Sequence, residues 1–169
     1  MCPPSSGRPR EGCRSSSGPM RSDAQAFLEL SSPRKRKVHT HLAQIALRRW
    51  EEFSQSGSVP HSYIESVVGT NQSVDFDLPR KAFDCVIRGF GASGVQKQYR
   101  EPICALQDDD WVLPEEASYA YYAIYNFFQK YALGKPIDDW LIVNQALSSL
   151  GSASGLVELA LAEAVRLTT

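Results

Sequence analysis

The sequence predicts a mainly α-helical protein: a compact, bundle-like helical domain over residues 23–169 with a less regular middle segment, behind a disordered tail over residues 1–22. Three observations carry that expectation. Apolar residues recur at spacings of three and four along several long stretches, the period of a helix with one buried face. Gly and Pro separate those stretches at short intervals, as in antiparallel helical neighbours. Residues 1–22 are dominated by Pro, Gly, Ser and Arg and have almost nothing to bury. A chain of 169 residues, 43% of them hydrophobic, is otherwise ample for one sizeable core.

The elements follow in order. Met20 offers an in-frame start just ahead of the first helix, which Asp23 caps and which runs to Leu30 before Ser31-Ser32-Pro33 breaks it. From Pro33 to Phe53, Val38, Leu42, Ile45, Ala46, Trp50 and Phe53 keep helical spacing. Arg34-Lys35-Arg36-Lys37 has the wrong sign for a helix N-terminus, so the basic run is expected to precede the ordered helix. A short helix is expected from Pro60 to Val68, stopped by Gly69. Asp77 is the expected N-cap for Leu78–Arg88, with Pro79 tolerated in the first turn. Residues 89–113 are the least helical, and the stretches around Val86 and Ile103–Leu106 are candidates for short strands. Pro114 opens a helix whose Glu115 and Glu116 complement its dipole and which Gly134 ends. Pro136 starts the next, through Trp140 to Gly151, and Ser154 caps a last helix with Val157, Ala160, Leu161, Ala164 and Val165 on one face.

The net charge of −1 conceals a split. Residues 1–50 hold ten Lys or Arg against three acids, whereas residues 51–169 hold eight against sixteen, a net of −8. An acidic body favours basic partners and repels nucleic-acid phosphates. The basic run at 34–37 is a candidate nucleic-acid patch, but four adjacent charges after Ser-Ser-Pro read better as a solvated linker, and nucleic acid is disfavoured. Cys2, Cys13, Cys85 and Cys104 match no zinc spacing; the last two sit in apolar runs where buried free thiols are the common case, although a bridge between them is compatible with the sequence. No stretch approaches the ~18 apolar residues of a membrane span, and no signal peptide is evident, so the expectation is a cytoplasmic protein off the membrane.

Familiar motifs fail on context. Gly89-Phe90-Gly91-Ala92-Ser93-Gly94 spells a dinucleotide fingerprint, but too little chain follows before Pro102 for a crossover helix, so a loop or helix stop is expected and no cofactor. His39 and His41 are two apart and face different ways, unlike a metal pair on one helix face, and together with His61 they are expected to be solvated or to contact a partner. Asp108-Asp109-Asp110-Trp111 lacks the spacing of a calcium loop.

No set of residues stands out as catalytic. Two acidic clusters followed by tryptophan, Asp108-Asp109-Asp110-Trp111 and Asp138-Asp139-Trp140, read either as helix-start acids with an anchoring indole or as an acidic surface rimmed by aromatics. In the helix from Pro114 to Leu133, Ala117, Ala120, Tyr121, Ile124, Phe127, Phe128 and Tyr131 form a core stripe, while Tyr119, Tyr122 and Asn126 form a second line with Tyr125 nearby. The expected function is non-enzymatic binding of a basic protein through Asp108, Asp109, Asp110, Trp111, Tyr119, Tyr122, Asp138, Asp139 and Trp140. That role resembles, in charge and size alone, the masking of toxic nucleases by immunity proteins. The competing expectations are a small enzyme using body carboxylates and a regulator tethered to nucleic acid through residues 34–37.

Overall fold

A computed structural model describes residues 22–56, 62–65, 70–73, 76–97, 113–151 and 154–168. The described residues are mainly helical: α1 (Asp23–Leu28), α2 (Ser32–Gln55), α3 (Leu78–Arg88), a short α4 (92–97), α5 (Glu115–Tyr131), α6 (Asp139–Ser148) and α7 (Ser154–Arg166). One small antiparallel pair joins β1 (Ser62–Glu65) to β2 (Thr70–Ser73), with Ser62 opposite Ser73 and Glu65 opposite Thr70. A helix was expected across 60–68, but Tyr63 and Ile64 favour strand, while Thr70, Asn71 and Ser73 are weak helix formers that suit a partner strand.

The 24-residue α2 is the spine of the fold and packs against α3, α5, α6 and α7. Its buried side, Val38, Leu42, Ala43, Ala46, Leu47 and Trp50, has the predicted period. At its far end the Trp50 indole N–H donates to the Phe76 carbonyl at 2.9 Å, and its ring lies 5.0 Å from Tyr121. Helix α5 is enclosed by α2, α3 and α6, so the expected core stripe is buried except for half-buried Tyr131, and Ala123 and Asn126 are buried with it. The Asn126 amide donates to the Gln145 side chain of α6 at 2.6 Å, which satisfies a polar group on the second line of that helix.

Four boundaries differ from expectation for local reasons. Ser22, not Asp23, caps α1, its hydroxyl accepting the Gln25 N–H at 3.3 Å. The basic run is not upstream of α2 but inside its first turns. Val86 lies in α3, because Ala82, Phe83, Cys85 and Val86 are buried at helical intervals; Ile103–Leu106 lies outside the described residues. Pro136 precedes α6 rather than starting it: Asp138 Oδ1 accepts the N–H groups of Trp140 at 2.9 Å and Leu141 at 3.1 Å and so sets the helix start. The expected stops hold at Gly89 (φ 77°) and Gly134 (φ 67°), left-handed positions suited to glycine.

Candidate functional site

Polar side chains from distant parts of the chain gather at a buried junction and in a concave strip. The first lies where α2, the end of α5 and the start of α6 meet. His39 is fully buried, with Nδ1 2.7 Å from the Tyr131 hydroxyl and Nε2 2.8 Å from the Asp139 carbonyl. A carbonyl only accepts, so Nε2 carries the hydrogen, and the Tyr131 hydroxyl donates to the lone pair on Nδ1. Burial holds His39 below the ordinary histidine range, against the Asp139 carbonyl and carboxylate, which favour the charged form. Burial pushes the Tyr131 phenol well up, and Asp139 adds to it, so the donor stays protonated.

The Asp139 carboxylate takes Lys130 at 3.0 Å and Lys35 at 3.3 Å. Burial alone would raise its affinity for a proton, but the hydrogen bond and charge of Lys130, with the Lys35 hydrogen bond, outweigh it and hold the group below its usual range. Lys35 also lies 5.9 Å from the Phe27 ring centroid, and the Arg36 guanidinium 5.0 Å from that of Tyr131. These partners explain how a basic run enters the first turns of α2: local repulsion from the dipole is offset by a carboxylate and two rings supplied by other helices. Both His39 nitrogens are occupied and the ring is sealed, so the histidine pins three helices together and has no free nitrogen. The expectation that His39 is solvated is thereby corrected.

The second place is a concave strip beside α6 and α7. A depression of about 300 Å³ is lined by Glu115, Glu116, Tyr119, Ser148 and Gly151. It adjoins, through Ser148 and Gly151, a groove of about 530 Å³ whose walls include Asp23, Trp140, Asn144 and Glu158. The strip thus presents four carboxylates and two aromatic rings, and among the described residues neither hollow is lined by a Lys or Arg. None of the four acids forms an ion pair with a described residue. Gly151 closes the corner at φ +76°, and a Cβ there would lie 3.3 Å from Glu116 Oε1.

Of the residues singled out from sequence, Tyr119 lines the depression and Trp140 the adjoining groove. Asp138 is exposed and caps α6, Asp139 is committed to the two lysines, and Tyr122 packs against the core. Asp108, Asp109, Asp110 and Trp111 lie outside the described residues. Glu115 and Glu116 stood out only as dipole partners, and Asp23 only as a cap; Glu158 carried no signal, since its neighbours in the strip come from α1, α5 and α6. Among the described residues no group of three His, Cys, Asp or Glu side chains could hold a metal, and no helix is long and apolar enough to cross a membrane. Cys85 is a buried free thiol, its proton held more tightly by burial and by Asp84; Cys104 lies outside the described residues. The glycine-rich string follows a helix, α3, rather than the strand that a dinucleotide turn requires. Comparison with known protein families, characterised proteins and solved structures gives no match to this chain.

Proposed function

We propose that the chain is a non-enzymatic protein-binding module whose acidic, aromatic-rimmed face masks a basic protein. The observation that carries this reading is the strip in which Glu115 and Glu116 line one hollow with Tyr119, and Asp23 and Glu158 line the next with Trp140, without a basic side chain among the described residues of its walls. Carboxylates left without partners steer a positively charged surface and fix its register, and half-buried aromatic rings give contact area at low entropic cost. Shallow hollows of about 300 and 530 Å³ suit protruding Lys or Arg side chains of a partner. The net −8 of residues 51–169 adds a long-range field of the same sign. A partner masked in this way would be one whose own basic surface serves it elsewhere, the logic of an inhibitor or immunity protein.

The test replaces Glu115, Glu116 and Glu158 together with Gln, which removes three charges and nearly keeps shape. Affinity capture with wild-type protein, followed by mass spectrometry, supplies the partner, and stopped-flow mixing compares association rates. The variant is expected to fold and to associate about tenfold more slowly at low salt, the gap closing as salt screens the field. Equal rates for the two proteins at low and high salt would remove the acidic face from the recognition.

A further inference from the structure

We infer that the groove between the first turns of α2 and the C-terminal end of α7 binds a small organic anion, a phosphate- or carboxylate-bearing molecule with an apolar body. The groove measures about 510 Å³, within the range of roughly 300–1,000 Å³ that small-molecule sites occupy. One wall is cationic. Arg36, Lys37 and His41 line it, and positions 37 and 41 are one helical turn apart, as are 36, 40 and 44, so the two rows form one continuous face of α2. The other wall brings Ala164 of α7 and, just past its end, the 56% exposed Leu167, and Pro33 lines the groove with them. Among the described residues no Asp or Glu lines the groove.

A second and independent observation points to an occupant. His41 Nε2 is buried and has no hydrogen-bond partner among the described residues, and His41 is part of the groove wall. A buried ring nitrogen without a partner is costly, and a small turn of the ring toward the groove lets a polar ligand supply the missing bond. Lys37 makes no ion pair with a described residue, so its ammonium is free to take an oxyanion. The Arg36 guanidinium is steadied by the Tyr131 ring at 5.0 Å, which reduces the freedom it would lose on pairing.

The arrangement favours a small molecule over a nucleic acid. Lys35, in the middle of the basic run, is turned away to Asp139, so the run presents no continuous row of charge along a phosphate backbone. The apolar wall of Ala164, Leu167 and Pro33 has nothing to cover it in a backbone contact but suits the body of an organic anion.

Isothermal titration of the full chain at fixed ionic strength tests the site with phenyl phosphate, benzoate, inorganic phosphate, neutral benzyl alcohol and a short DNA duplex. Phenyl phosphate and benzoate are expected to saturate with the His41 ring resonances shifting, and to bind at least about tenfold more tightly than inorganic phosphate or benzyl alcohol. Lys37→Gln, at an exposed position, should weaken both by about tenfold, the loss of one charge-assisted hydrogen bond, with the His39 resonances unmoved to show that the fold is intact. Four results would each overturn the inference: no saturation in the millimolar range, equal affinity for phenyl phosphate and inorganic phosphate, an unchanged affinity in Lys37→Gln, or tighter binding of the duplex per phosphate.

Discussion

Replacing Tyr131 with Phe isolates a single oxygen at the junction of α2, α5 and α6. The ring and its contacts remain, with centroids at 5.3 Å from Phe127 and 5.8 Å from His39 and the Arg36 guanidinium at 5.0 Å, so no cavity opens. What goes is the donor 2.7 Å from His39 Nδ1, and the histidine is fully buried, so water cannot replace it. A neutral hydrogen bond contributes about 1 kcal/mol net, and a buried acceptor left empty costs about 1–3 kcal/mol, so the expected loss is roughly 2 kcal/mol. In a domain of this size that lowers the melting midpoint by roughly 4–8 °C. Circular dichroism melts and urea titrations measure it, and the urea slope should stay constant if the native state is otherwise intact. The second arm of a cycle uses His39→Leu, after which Tyr131→Phe should cost little, because no acceptor is then left empty. A midpoint within about 1 °C of wild type for Tyr131→Phe would refute the assignment of the hydroxyl as the donor that satisfies His39.

His39 also gives the stability a pH dependence. Its folded-state proton affinity is depressed by burial from the ordinary 6.5, so the unfolded chain takes up the proton first; stability is complete above that value and falls as pH drops below it. Urea unfolding between about pH 7.5 and pH 5.5 should show that loss, and His39→Gln should flatten it; a wild-type curve no steeper than that of the variant would contradict the neutral, buried imidazole. Asp139 acts in a separate window, below the ordinary 3.8, because its depressed carboxyl stays ionised until the pH falls further. Gly151→Ala should cost about 1–2 kcal/mol from a left-handed backbone alone, and should also displace Glu116, whose Oε1 lies 3.3 Å from the new Cβ. Denaturant midpoints measure the cost, and an unchanged midpoint would mean that the backbone relaxes out of its φ of +76°.

The helices were legible because each carries its own period and punctuation. The stripe from Ala117 to Phe128 and the stops at Gly89 and Gly134 need no information from elsewhere in the chain. Phe83-Asp84-Cys85-Val86-Ile87 shows where that reading fails: so short an apolar run fits a strand or a buried helix equally, and packing of α3 against α5 and α2 decides it. The place of Arg34–Lys37 inside α2 was illegible for a different reason. Local electrostatics argues against it, and the compensating groups, Asp139 and Tyr131, belong to the other end of the chain. The candidate face lies between these cases. Its sign was visible in the charge of residues 51–169, and Tyr119 and Trp140 were singled out separately, but only the fold brings Glu115, Glu116, Asp23 and Glu158 around them.

Helix α7 connects the two candidate surfaces electrostatically. Its N-terminal half, through Val157, Glu158 and Leu161, lines the acidic strip, and its C-terminal end, through Ala164 with Leu167 and Thr168 just past it, lines the basic groove. A helix carries a partial positive charge at its N-terminus and a partial negative charge at its C-terminus. Acids near the first end and bases near the second are therefore held in favourable fields without being tied up in ion pairs, which would hide them from a partner. The junction sharpens the contrast. The Asp139 carboxylate holds both Lys35 and Lys130, so these two ammonium groups are committed to the junction and not to either surface. The same dipole sets limits on what each surface can do. A basic group arriving at the acidic strip must overcome the positive end of α7, which makes several carboxylates necessary rather than one. An anion in the other groove meets the negative end, so its affinity depends on Arg36, Lys37 and His41 acting together, and loss of any one should weaken binding more than its share of the contacts.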